Sequence, residues 1–139
     1  MIWKIQPTVE ILNNHGAKDM GKLLGIEITE VGDDYLKARM PVDDRTRQPY
    51  GILHGGASCV LAEGLGSTAG AMCVEMGKQI VVGLEINANH VRSVKTGFVY
   101  GTAKPLHLGR STQIWEIRIE NEEKKLVCIS RLTLAVKDI

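Results

Sequence analysis

Hydrophobic and polar residues alternate with period two through most of this chain, and one segment breaks the rhythm. Leu24, Ile26 and Ile28 point one way while Glu27 and Thr29 point the other. Gly32-Asp33-Asp34 supplies a turn, after which Leu36, Ala38, Met40 and Val42 alternate with Tyr35, Lys37 and Arg39; this predicts a first hairpin. After Gly77 the alternation resumes and runs to the end. Gln79 to Arg92 reads as one long strand with Ile80, Val82, Leu84, Ile86, Ala88 and His90 on one face. Beyond a turn at Ser93 to Gly97, Phe98 to Leu108 is the next strand, and Pro105 within it predicts a bulge or an edge position. Gly109-Arg110 makes a tight turn into Ser111 to Glu120, which aligns Gln113, Trp115, Ile117 and Ile119 on one face. The polar turn Asn121 to Lys124 leads to Leu126 to Val136, where Leu126, Cys128, Ser130, Leu132 and Leu134 alternate. Two short helical segments precede the strands: Thr8 to Asn13, just after Pro7, and Asp19 to Leu24, where Met20, Leu23 and Leu24 share a face.

The exception is Tyr50 to Met76, which opens like a turn and becomes a long run with helical spacing. Gly55, Gly56, Gly64, Gly66 and Gly70 each cost a helix about 1 kcal/mol relative to Ala. Tertiary packing must therefore hold this helix, and its small residues let other backbone come close. One face reads Ala57, Leu61, Leu65, Thr68, Met72; the opposite stripe reads Gly56, Cys59, Glu63, Ser67, Gly70. Two strands, one long helix and four strands predict an α+β domain, with an antiparallel sheet of about six strands against one central helix. No linker or repeat interrupts residues 1–139, so a single domain is expected. The helix is too apolar for its far side to stay wet. Either the sheet curls around it or a second copy of the protein covers it.

With 139 residues the chain is long enough for one real core. A net charge of +1 argues against a dedicated nucleic-acid or anionic-membrane protein. No apolar run reaches the roughly 18 residues that cross a bilayer, and the first residues lack the pattern of a signal peptide. Cys59, Cys73 and Cys128 are odd in number and include no C-x-x-C pair, as expected of small apolar residues in a reducing, cytoplasmic setting. No metal-ligand spacing, P-loop or G-x-S-x-G elbow is present.

The candidate chemistry converges on the helix start. Gln48 lies in the polar loop Pro41 to Pro49, and His54, Gly55 and Gly56 open the helix, where backbone N–H groups lack intrahelical partners. Fixed donors of this kind can polarise a carbonyl as an oxyanion hole does. Glu63 and Ser67 lie one turn apart on one face, and a desolvated Glu serves as general base or nucleophile. Gly55 and Glu63 are eight positions apart, about 12 Å at 1.5 Å per residue. One chain cannot easily bring both to a single carbonyl. Two antiparallel copies of the helix can, so a two-fold dimer with two composite sites is inferred. Plainer roles stand beside these. Glu63 is a solvated side chain or a site residue; His54 a simple cap or a catalytic group; Ser67 a bond back to the Glu63 carbonyl or a site hydroxyl. The glycines serve packing or chemistry, His90 is a satisfied core histidine or a site residue, and Arg92, Arg110 and Lys104 taken singly are surface charges.

Gln48-Pro-Tyr-Gly-Ile-Leu-His54-Gly55-Gly56, followed by Glu63 and Ser67, resembles the helix-start motif of the hotdog-fold acyl-CoA thioesterases. The resemblance is to the phenylacetate-pathway and 4-hydroxybenzoyl-CoA type with a helix glutamate. Within that type the chain is similar to the bacterial dihydroxynaphthoyl-CoA and enterobactin-pathway proofreading thioesterases. Val82-Gly83-Leu84-Glu85-Ile86-Asn87, Asn89-His90-Val91-Arg92 and His107-Leu108-Gly109-Arg110 also match, so the resemblance covers nearly the whole chain. It implies a sheet wrapped around the helix, homodimers paired into homotetramers, and thioester hydrolysis with no cofactor, coenzyme A being part of the substrate. It further implies that Glu63 is the nucleophile or the base for water. Gly55 N–H polarises the carbonyl with help from His54, Gln48 positions the carbonyl and the water, and Ser67 holds the water or the carboxylate. By the same resemblance His90 lines the acyl pocket, Val82 and Gly83 contact the pantetheine arm, and Arg92, Gly109, Arg110 and Ser111 lie near the nucleotide phosphates.

An aromatic acyl-CoA thioesterase is the leading expectation. A thioesterase acting on carrier-protein thioesters, a hotdog hydratase and a non-catalytic acyl-CoA-binding module are the alternatives. The His precedes the helix in a Gly-rich segment, which favours carbonyl activation over hydratase chemistry, and no DNA-binding segment accompanies the domain as a sensor would require.

Overall fold

A computed structural model describes residues 1–16 and 18–139. Its elements, in order, are α1 (Val9–Asn13), α2 (Met20–Leu23), β1 (Glu27–Val31), β2 (Leu36–Pro41), α3 (Gly55–Met72), β3 (Gln79–His90), β4 (Phe98–Leu108), β5 (Thr112–Glu120) and β6 (Leu126–Asp138). Side-chain caps set the starts of the two short helices. Thr8 accepts from Ile11 N–H and Asp19 from Lys22 N–H, so both residues stand just outside the helices they were expected to begin.

The six strands form one antiparallel sheet in the order β1-β2-β4-β5-β6-β3, and the helix α3 packs across it. The hotdog arrangement expected from the sequence is thus the observed one. β5 carries the face read from its alternation: Gln113, Trp115, Ile117 and Ile119 are buried. They and Leu132 and Leu134 of β6 meet Leu61, Ala62, Leu65 and Ala69 of α3 in one core. Gly66 and Gly70 permit that approach. A Cβ on Gly66 would stand 2.7 Å from Leu132 Cδ2, and one on Gly70 2.6 Å from the Gln113 amide oxygen. Gln113 in turn donates to Gly70 C=O at 3.3 Å and accepts from the Trp115 indole at 2.9 Å, so the polar groups of this buried corner satisfy one another.

Two expectations require correction. The stripe Gly56, Cys59, Glu63, Ser67, Gly70 does not lie opposite the packed face along its whole length, because Gly70 is turned into the chain's own sheet. Nor do Ile80, Val82 and Leu84 share a face with Ile86, Ala88 and His90. The register of β3 against β6 slips between Gly83 and Glu85, and this bulge inverts the alternation. Ile80, Val82 and Leu84 therefore face away from the helix and are exposed, whereas Ile86 and Ala88 pack against the core. Pro105 does mark a bulge, between Pro105 and His107, beyond the last residue of β4 that pairs with β2.

Candidate active site

The loop before α3 is tied down by backbone bonds. Gln48 N–H donates to Ile52 C=O at 2.8 Å, Leu53 N–H to Val94 C=O at 2.8 Å and His54 N–H to Thr46 C=O at 2.8 Å. Thr46 is buried, and its hydroxyl donates to Pro41 C=O at 2.7 Å. These bonds deliver Gln48 and the helix start to one place.

At that start the first-turn donors divide unequally. Gly56 N–H is capped by His54 Nδ1 at 2.8 Å, and Ala57 N–H reaches His54 C=O at 3.0 Å. Gly55 N–H has no acceptor among the described residues. His54 is therefore a helix cap, and its capping leaves the Gly55 donor available. The His90 ring lies over Gly55: a Cβ there would come 2.8 Å from Nε2. Gln48 Oε1 accepts from Tyr50 N–H, which leaves the Gln48 amide donors for a ligand. Gln48, Gly55, Ser58, His90 and Arg92 line a common cavity of about 450 Å³. Ser58, buried on the first turn of α3, had no signal in the sequence beyond its helical phase.

Glu63 lies elsewhere. Helix α3 runs unbroken from Gly55 to Met72, so the spacing of about 12 Å from rise alone holds. The carboxylate points at β3, where Gly83 makes room: a Cβ on Gly83 would stand 2.7 Å from Glu63 Oε2. Glu63 lines a second cavity of about 680 Å³, with Val60, Gly64 and Thr68 of α3 on one side and Ile5, Pro7, Ile11 and Leu12 on another. The contribution of the N-terminal segment had not been read from the sequence. Ser67 is half-buried and makes no bond back to the Glu63 carbonyl; the hydroxyl that does fold back is Thr68, onto Gly64 C=O at 2.8 Å. One turn before Glu63, burial raises the Cys59 thiol pKa and the Glu63 charge adds to the effect.

The residues matched to a nucleotide site do not come together in one chain. Arg92 follows β3, and its Nε donates to Leu126 C=O at 3.3 Å at the start of β6. Gly109, Arg110 and Ser111 form the β4–β5 turn, where Gly109 N–H donates to Thr112 C=O at 2.8 Å. The length of β5 separates the two places, about 30 Å at 3.3 Å per residue. Val82 faces away from Glu63, beside the bulge.

A six-stranded antiparallel sheet packed on one long helix is the arrangement of the hotdog thioesterases, and here the helix start offers a free donor and the helix carboxylate faces a cavity. Residues 50–128 match the thioesterase superfamily, and the chain belongs to that family as a thioester hydrolase. It is 57% identical over 136 residues to a 1,4-dihydroxy-2-naphthoyl-CoA hydrolase of Escherichia coli, covering 98% of this chain and 99% of that protein. It is 54% identical to a proofreading thioesterase of Cronobacter turicensis, covering 98% of each chain. A solved mutant thioesterase of Pseudomonas aeruginosa superposes with a TM-score of 0.98 at 47% identity, over 100% of both chains. Among the described residues, no helix is long and apolar enough to cross a membrane.

Proposed function

We propose that this chain is an acyl-CoA thioesterase that cleaves aromatic acyl-CoA thioesters to the free acid and coenzyme A, at composite sites shared by two subunits. The observation that carries this reading is the division of the machinery on one unbroken helix. Gln48 and Gly55 open onto one cavity and Glu63 onto another. A second copy brings Gly55 of one subunit opposite Glu63 of its partner. The thioester carbonyl accepts from Gly55 N–H and the Gln48 amide. Glu63 either attacks the carbonyl carbon or takes a proton from the water that does. The C–S bond breaks, the thiolate gains a proton, and water supplies the second carboxyl oxygen. Ser67, one turn from Glu63, holds the water or the carboxylate.

The open edge of β3 supports the dimer. This terminal strand is twelve residues long, and among the described residues no other strand pairs with its outer side. On the outer sheet face Ile80 and Val82, with Leu84 beside them at the bulge, are exposed apolar residues, which supports a further pairing of dimers into a tetramer. In such an assembly Arg92 of one subunit and Arg110 of another can reach one nucleotide, as a single chain cannot. Three cysteines outside any disulfide fit action in the cytoplasm. The aromatic preference rests on similarity to the naphthoyl-CoA hydrolase. Assaying thiol release from a panel of aryl-CoA and fatty-acyl-CoA thioesters tests it. Faster turnover of the fatty-acyl members overturns the aromatic preference, and no release from any member overturns the activity.

A further inference from the structure

Thr46, Ser58, Gln113 and Ser130 are the buried polar side chains among the described residues. Burial without a partner costs a polar group free energy, so each needs a reason. Thr46 donates to Pro41 C=O, and Gln113 bonds Gly70 and Trp115. Ser130 lies in the core with its hydroxyl sealed and unpartnered, and it lines neither cavity. Ser58 differs from all three. It is 1% exposed, its hydroxyl has no hydrogen-bond partner among the described residues, and it lines the cavity at the helix start.

A hydroxyl within a helix commonly folds back onto the carbonyl four residues earlier. Thr68 does so, onto Gly64 C=O at 2.8 Å. For Ser58 that carbonyl is already occupied: His54 C=O accepts from Ala57 N–H at 3.0 Å and from Ser58 N–H at 3.3 Å, which uses both its lone pairs. Nor does packing ask for a hydroxyl. Ala57, Ala62 and Ala69 fill buried positions on the same helix, and Ala is the better helix former. The hydroxyl is therefore held for something that enters the cavity. Ser58 follows Gly55 by three residues, a rise of about 4.5 Å, and a helical side chain leans back toward the N-terminus. The hydroxyl thus overhangs the turn whose first N–H, that of Gly55, is free.

We propose that Ser58 is a further catalytic residue, whose hydroxyl donates a hydrogen bond to the thioester sulfur and holds the thiolate as it leaves. The inference rests on the thioesterase reading, which seats the carbonyl oxygen on Gly55 N–H. Oxygen and sulfur share one carbon, so the sulfur lies beside the oxygen that Gly55 holds. The coenzyme A arm begins at that sulfur, and Arg92, exposed and lining the same cavity, is the cation toward which the arm runs. When the C–S bond breaks, its electron pair stays on sulfur. Ser58 keeps its proton and shares it with the thiolate as a hydrogen bond; water in the cavity then supplies the proton that makes the thiol. A donor fixed where charge develops is worth more as the bond breaks than before it.

The test uses the full chain with benzoyl-CoA and the 4-nitrothiophenyl ester of benzoic acid, whose thiolate leaves without help. Ser58→Ala is expected to lower kcat/KM for benzoyl-CoA about tenfold or more, the scale of one hydrogen bond to a charged group, and to change that for the nitrothiophenyl ester less than about threefold. Its melting temperature should equal or exceed that of the wild type, since an unpartnered hydroxyl is gone and helix propensity improves. Calorimetry with coenzyme A and desulfo-coenzyme A reads the contact without turnover: the wild type should prefer the thiol several-fold, and Ser58→Ala should not. Equal losses on both esters, unchanged kcat/KM for benzoyl-CoA, or a wild type indifferent to the sulfur overturns the role of Ser58 and leaves the thioesterase reading intact. A wild type that hydrolyses neither ester, yet prefers coenzyme A in a way that Ser58→Ala abolishes, upholds the contact with sulfur and overturns the function. A Ser58→Ala protein that melts below the wild type means that the hydroxyl is bonded within the protein, and the inference is then wrong.

Discussion

Gly55 lies beneath the imidazole of His90, so close that a methyl group on Gly55 would come 2.8 Å from His90 Nε2. The glycine that leaves an N–H free at the helix start is thus also the one whose lack of a side chain lets β3 bring a histidine onto that donor. Gly55→Ala keeps the backbone donor and its helical propensity improves. It should nevertheless lose activity, because His90 must move. Pairing it with His90→Ala removes the collision. The double variant should be more stable than the sum of the single changes predicts, by about 1 kcal/mol or more, as contacting residues couple. Additive effects in chemical denaturation would mean that the ring gives way without cost.

Glu63→Gln keeps size and removes charge. Gly83 already gives the side chain room, so fold and assembly should survive. A fall in kcat of at least ~10²-fold is expected, the low end for a positioned acid–base group. Near wild-type turnover at saturating substrate would end the proposed role.

Arg92 lines the cavity with Gln48 and Gly55 while its guanidinium remains exposed. Arg92→Ala should raise KM for coenzyme A thioesters more than it lowers kcat, and should leave the corresponding pantetheine thioesters indifferent. Equal damage to both substrates would make the arginine a structural group that supports Leu126 through its bond to that carbonyl.

Gln113 has a different importance. Its side chain bonds both the buried Trp115 indole and the Gly70 carbonyl in the helix. Gln113→Ala strips the buried Trp115 indole of its partner, which costs about 1–3 kcal/mol to leave unmade, while Gly70 C=O keeps its bond from Cys73 N–H at 3.1 Å. Thermal unfolding should shift downward by several degrees with KM little changed, since Gln113 lines neither cavity. A variant that unfolds at the wild-type temperature would show that water satisfies the indole.

Much of this architecture was legible because period two and period 3.6 leave different marks, as in the buried run Gln113, Trp115, Ile117, Ile119. The bulge at Gly83 to Glu85 was not, because inserting a residue into one strand demands no particular side chain, and the apolar run Ile80, Val82, Leu84 continues the pattern past the slip. The helix-start residues were legible through their chemistry. Which of them share a cavity was not, since only folding brings His90 and Arg92 beside Gln48 and leaves Arg110 at the opposite end of the sheet.

The composite site makes the strongest prediction, because it concerns which chain supplies which group. Gly55 and Glu63 are fixed on one unbroken helix, about 12 Å apart by its rise. Take two inactive parents, Glu63→Gln and the double variant Gln48→Ala/His54→Asn, in which Asn retains a capping acceptor for Gly56 N–H. Mix them under conditions that exchange subunits, with differently tagged chains to measure the exchange. In a mixed dimer one site receives both defects and the other receives neither. Random exchange makes half the dimers mixed, each with one intact site of two, so activity should recover toward about a quarter of wild type. If each site drew all its groups from one chain, every site in the mixture would keep a defect, and activity would stay at the parental level however complete the exchange. That result would require a substrate that bends or shifts along the helix to meet both groups, and it would remove the reason for a dimer at the active site.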